Sequence, residues 1–86
     1  MNSVAGSGAK NGMSPLRVFG ERVRARRREL GLTQKDLAAT SGLHRAYIGS
    51  VDRGQRNLSL VNILRIAEAL AVDPAVLVQG LKPTPE

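Results

Sequence analysis

The sequence contains no cysteine and a single histidine, His44. Without thiols there is neither a disulfide nor a thiolate metal site, and one imidazole lacks the second that a histidine-bound metal needs. No metal and no cofactor is expected, and a thiol-free chain suits a reducing cytoplasm. Long apolar runs are missing too. None approaches the roughly 20 residues that a bilayer-crossing helix requires, so no membrane partner is expected. The N-terminal residues also lack the charged-then-apolar layout of a secretory signal. There is no paired-carboxylate, Cys-His or Ser-His arrangement on a plausible scaffold, and no glycine-rich phosphate loop followed by lysine, so no enzymatic activity is expected. Acidic residues are scarce, 7 against 13 lysines and arginines, which leaves a net charge of +6. Such an excess favours a polyanionic partner, and with membranes set aside that partner is nucleic acid.

The 86 residues make room for one small domain whose core is marginal by itself. Residues 1–13, rich in Gly, Ser and Asn, read as a disordered leader, and Met13 is an alternative start. Ser14 followed by Pro15 is an N-cap with proline at the first helical position, which predicts a helix over 15–30. Leu16, Phe19, Val23 and Leu30 lie on its inner face, and Gly31 closes it. Thr33 with Asp36 three residues later forms a capping-box variant and opens a second helix that ends near Thr40. A third helix follows over 44–52. The connector RGQRNL turns at Gly54, and Ser59 then caps a fourth helix with Leu60, Ile63, Ile66, Ala67 and Leu70 inward. Asp73 and Pro74 start a short fifth helix that Gly80 ends. The domain is expected over 14–81, with a frayed tail over 82–86.

The run QKDLAATSGLHRAYIGSV, residues 34–51, carries the spacing of a helix-turn-helix. Two short helices crossing steeply need small or apolar residues at the crossing and a residue tolerant of positive φ in the turn. Ala38 and Gly42 occupy those places. Leu37, Leu43, Ile48 and Val51 fall on the inner faces. The fold class is therefore all-α, five helices with a helix-turn-helix made by the second and third.

The strings GLTQKDLA, SGLHRAYIGSVDRGQRNLS and IAEALAVDP resemble the DNA-binding domain of the Cro and phage-repressor (XRE) family, over about three quarters of the chain. The portions Arg-Ala-Tyr-Ile and Arg-Gly-Gln-Arg-Asn-Leu-Ser are also similar to the controller proteins of restriction-modification systems. The resemblance implies a five-helix lambda-repressor-like fold and a regulator of transcription that binds double-stranded DNA. It also implies an ion pair between Arg27 and Asp52, although the acid usual at that place is glutamate.

A recognition helix presents its N-terminal residues to base edges in the major groove. That points to His44, Arg45 and Ala46, and a turn later to Gly49 and Ser50. Arg45 is the foremost candidate, because its planar fork bonds guanine O6 and N7 together; a phosphate clamp is the other reading. Ala46 is suited to a thymine methyl. Tyr47 stands between the groove side and the core side: the resemblance to the controller proteins implies a DNA contact, and covering the edge of the core is the other reading. Ser50 is a base or phosphate donor, or an exposed serine without a partner. Gly49 inside a helix implies close approach to DNA or to the second helix. Gln34 and Thr33 lie at a helix N-terminus, where amides attract a phosphate, and the family uses a glutamine there to brace the first recognition residue. Arg56 and Asn57 resemble phosphate-holding positions, with a plain polar loop as the alternative. Arg22, Arg24, Arg26, Arg27 and Arg28 are spread around their helix by its 100° step, so no single surface uses them all.

Val61 and Leu64 on the fourth helix, with Val76, Leu77, Val78 and Leu81 around the fifth, exceed what one small core needs. A homodimer through these residues is expected, against the alternative that they complete a monomer core. Two-fold symmetry implies an inverted-repeat operator. A second reading, from a different class, is a protein-interaction module of the same fold, such as an antitoxin or coactivator.

Overall fold

Hydroxyl and carboxylate side chains set the helix starts. The computed structural model describes residues 14–83, folded into α1 (Pro15–Glu29), α2 (Gln34–Ser41), α3 (Arg45–Asp52), α4 (Leu60–Ala69) and α5 (Pro74–Val78), with no strand among the described residues. The leader at 1–13 and the end of the expected tail, 84–86, lie outside the described residues. Among the described residues no helix is long and apolar enough to cross a membrane.

The Ser14 side chain accepts from the Arg17 N–H ahead of Pro15, and Ser59 accepts from the Asn62 N–H. Asp73 does the same for the Ala75 N–H at 2.8 Å. At α2 the capping is reciprocal: the Asp36 N–H donates to the Thr33 hydroxyl at 3.0 Å, and the Thr33 N–H donates to the Asp36 carboxylate at 2.9 Å. Only His44, the cap of α3, makes no such side-chain bond. Gly42, with φ 76°, ends α2 in the left-handed region and lets α3 begin three residues later.

Phe19, Val23, Leu37, Ala38, Ile48, Val51, Ile66, Ala67, Leu70 and Leu77 form the buried core. Each fully buried Leu or Ile contributes about 1.5–3 kcal/mol relative to exposure. α3 packs against both α1 and α2, while α5 closes on α1 and α4. Three expectations about this packing are corrected. Leu30 is the C-cap of α1 and points outward, 40% exposed, because the helix stops one residue earlier; Leu32 packs on the core instead. Leu60, in the first turn of α4, is 69% exposed; the inward stripe starts only at Ile63, which is half-buried, and full burial begins at Ile66. Leu77 is fully buried, so it belongs to the monomer core and not to a dimer face.

The arginines of α1 serve the ends of the other helices. Arg22 donates to the carbonyls of Gln79 at 2.7 Å and Leu77 at 3.3 Å, Arg26 to that of Leu70 at 3.0 Å, and Arg24 to that of Asp52 at 3.3 Å. The last carbonyls of a helix have no partner within it and carry the negative end of its dipole. Three helix C-termini are thus capped by cations from one helix.

Two glycines and an alanine yield testable outcomes. A Cβ on Gly20 would collide with the Val51 carbonyl oxygen, so α1 and α3 touch there backbone to backbone. Gly20→Ala should lower stability by about 1–3 kcal/mol. On Gly49 a Cβ would meet only the Arg53 guanidinium at 3.3 Å and the Gln34 amide oxygen at 3.7 Å. Gly49→Ala should be neutral or stabilising, by up to about 1 kcal/mol, since alanine favours the helix. Ala71, beyond the end of α4, holds a left-handed φ of 56°, a conformation that disfavours an L-residue by about 1–2 kcal/mol. Ala71→Gly should therefore stabilise by about 0.5–1 kcal/mol after glycine's larger entropy loss is subtracted. Urea unfolding of the three variants measures all of these differences.

Candidate nucleic-acid interface

α2 and α3 build the site through a buried junction beneath it. Arg27 Nη2 lies 3.0 Å from Asp52 Oδ2, and Arg27 Nη1 donates to the Leu32 carbonyl at 3.0 Å. The Gln34 amide donates to the same Asp52 oxygen at 2.9 Å. One carboxylate oxygen therefore ties α1, the start of α2 and the end of α3 together. Asp52 Oδ1 and Arg27 Nε are buried without a partner among the described residues, so the pair is single-pronged; the short aspartate brings only one oxygen to the guanidinium. Gln34 thus braces the far end of α3, and among the described residues no hydrogen bond joins its side chain to the first residue of that helix.

Above this junction Thr33, Gln34, Lys35 and Arg45 line one shallow concavity at the start of α2, with Arg27 at its floor. Arg45 is the first residue of α3, exposed, and without a hydrogen bond or ion pair among the described residues. His44 and Ala46 beside it are exposed as well. The Thr33 backbone N–H, reinforced by its hydroxyl, holds the Asp36 carboxyl below the usual carboxylate range, so the capping box keeps its charge.

A turn further on, the expected surface changes character. Gly49 is buried, but a Cβ there would meet the Gln34 amide oxygen only at an ordinary 3.7 Å and the flexible Arg53 guanidinium at 3.3 Å, so no approach of α2 requires its lack of a side chain. Ser50 is also buried, and its hydroxyl donates to the Tyr47 carbonyl at 2.7 Å while accepting from Arg56 Nε at 3.3 Å. Its oxygen is engaged inside the domain, which corrects the reading of Ser50 as an open donor. Tyr47 is half-buried, with the Arg56 guanidinium over its ring at 5.0 Å and its hydroxyl accepting from Asn62 Nδ2 at 3.0 Å. Asn57 falls elsewhere, at the mouth of a small apolar cleft formed with Leu16, Phe19, Ile63 and Val78. Arg56 and Asn57, adjacent in sequence, thus serve different surroundings.

The sequence reading overlooked Asn62 and Gly20. Their signals were present: Asn62 is the one polar residue in Leu60-Val61-Asn62-Ile63-Leu64, and Gly20 interrupts a helix as Gly49 does. Val61, Leu64, Val76 and Val78 are exposed, whereas Leu81 packs against the core.

Comparison with known proteins agrees with this geometry. The family model described as Helix-turn-helix matches residues 23–77. The chain belongs to this helix-turn-helix family. Control protein C.SmaI from Serratia marcescens is 45% identical over 67 residues, which span 76% of this chain and 80% of that protein. Among solved structures, the restriction-modification controller protein C.AhdI from Aeromonas hydrophila is 55% identical with a TM-score of 0.71, over 72% of this chain and 94% of that one. The tetramer of the controller protein C.Esp1396I in complex with its natural 35 base-pair operator is 35% identical with a TM-score of 0.69, over 73% and 83%. The five-helix, strand-free architecture expected from the sequence is the one shared with these helix-turn-helix neighbours.

The junction under the interface sets an expectation for stability. Arg27→Met would leave the Asp52 carboxylate buried with only Gln34 beside it, a loss of about 3–5 kcal/mol. A thermal melt that matched the parent chain would show that the pair contributes nothing.

Proposed function

We propose that this chain is a sequence-specific regulator of transcription that binds an inverted-repeat DNA operator as a homodimer, in the manner of a restriction-modification controller. The observation that carries the reading is Arg45: an exposed guanidinium, unpaired among the described residues, at the N-terminus of α3 on a chain with a net charge of +6. A planar fork in that place is suited to guanine in the major groove. His44 and Ala46 flank it at the base edges. Thr33, Gln34 and Lys35 meet the phosphates, and Arg56 with Tyr47 holds the backbone further along. The C.Esp1396I neighbour is a tetramer on its operator, and the C.SmaI relative is a control protein.

Val61, Leu64, Val76 and Val78 supply the apolar area for a two-fold contact. Such a dimer places two α3 helices about one turn of DNA apart, roughly 34 Å. We assign no reaction to the chain, and place it in the cytoplasm with the chromosome.

Selection from a pool of random duplex DNA at near-physiological salt tests this directly. The expected outcome is an inverted repeat with guanine in each half-site, and Arg45→Ala should lose about 1–3 kcal/mol of preference at that base. Binding to any duplex alike, falling steeply with salt, would instead favour the protein-interaction module.

A further inference from the structure

The polar cluster on the flank of α3 is tied to a helix that carries no base-reading residue. Asn62 of α4 donates from Nδ2 to the Tyr47 hydroxyl at 3.0 Å, across 15 residues of sequence. Arg56 covers the Tyr47 ring at 5.0 Å and donates from Nε to the Ser50 hydroxyl at 3.3 Å. That hydroxyl in turn donates to the Tyr47 carbonyl at 2.7 Å. The bonds close on themselves: Tyr47 is held at its backbone, its ring face and its hydroxyl, and Arg56 is held at Nε and over the ring. The two Nη groups of Arg56 make no hydrogen bond among the described residues, so four N–H donors remain on a guanidinium whose orientation is already set.

We propose that Asn62 is a positioning residue for DNA binding, which by anchoring the Tyr47 hydroxyl to α4 holds the Tyr47 ring and the Arg56 fork stacked on it in the orientation that grips the DNA backbone. The inference rests on the operator-binding function proposed above. Its physical basis is pre-organisation: a long, exposed arginine loses rotamer freedom on binding, and a ring fixed beneath it removes part of that loss beforehand. Without the Asn62 amide the ring is held only through its own backbone and by Arg56, which then has no fixed platform. Asn62 is well placed for the task because its backbone N–H is capped by Ser59, so the start of α4 is itself held. It also lies next to Val61, one of the exposed residues of the proposed dimer contact, so the ring is oriented relative to the same helix that meets the partner copy.

The test has two readouts. Tyr47 is the only tyrosine and the chain has no tryptophan, so the intrinsic fluorescence of the intact protein reports this ring alone. In the free protein, Asn62→Ala should leave the helical circular dichroism unchanged and increase the fast component of Tyr47 anisotropy decay. On the selected operator, Asn62→Ala should weaken binding about fivefold, as expected for one hydrogen bond. In a Tyr47→Phe background, where the hydroxyl is already gone, the same substitution should have no further effect. Equal losses in both backgrounds would mean that Asn62 acts independently of Tyr47 and would overturn the inference, as would an unchanged anisotropy decay. Failure of the parent chain to select any duplex would overturn the operator-binding function together with this one, whereas additive effects on a well-bound operator would remove only the role of Asn62.

Discussion

One carboxylate oxygen, Asp52 Oδ2, holds the two halves of the helix-turn-helix to the helix behind them. It accepts from Arg27 of α1 and from Gln34 at the start of α2, while Asp52 itself ends α3. A buried charge with such partners has few alternative positions, because any shift that breaks one bond leaves an ion out of water without compensation. The crossing of α1 over α3 follows from it. So does the backbone contact at Gly20, which only a residue without a side chain permits. Arg45 projects from the opposite end of the short helix that this junction anchors.

Seven of the 13 lysines and arginines fall into two populations with different work. On α1, Arg22, Arg24, Arg26 and Arg27 spend their donors on carbonyls at the ends of α5, α3 and α4 and on Leu32. These cations replace the missing last bonds of their neighbours and oppose the dipoles there. Lys35, Arg45 and Arg56 remain at the candidate interface. A small domain without disulfides is thus held at its helix ends by arginine, and its excess charge is not a uniform field for attracting DNA.

Much of the local structure is legible because its causes are local. Ser14-Pro15, Thr33 with Asp36, Ser59 and Asp73-Pro74 start helices by bonding amides two or three residues away, and Gly42 and Gly54 turn the chain through a φ that other residues resist. The inner stripe is legible for the same reason at Phe19, Val23, Ile48, Ile66 and Leu70. Where the reading departs from the structure, the missing information is about neighbours. Leu30 and Leu60 have the right chemistry for a core, but each stands at a helix end where no other element covers it. Leu77 sits among exposed valines in sequence, yet α1 and α4 close over it. Ser50 has the residue type of a DNA contact, but Tyr47 and Arg56 hold its hydroxyl.

The sequence by itself determined where the capped helices start, the placement of the turn and the absence of thiol chemistry, since these depend on residue type and short spacing. The place of residues 44–50 in the recognition helix, together with the likeness to the family, determined which residues to test as DNA contacts. Only the tertiary structure decided which polar groups are free. Among the described residues Arg45 is left unpaired, the Ser50 hydroxyl is engaged, Arg22, Arg24 and Arg26 become helix caps, and Asn62 joins Tyr47 across a distance in sequence that no periodicity spans. A hydrogen bond is a property of two positions in space, so the spare donors of a surface can be counted only after the chain has folded.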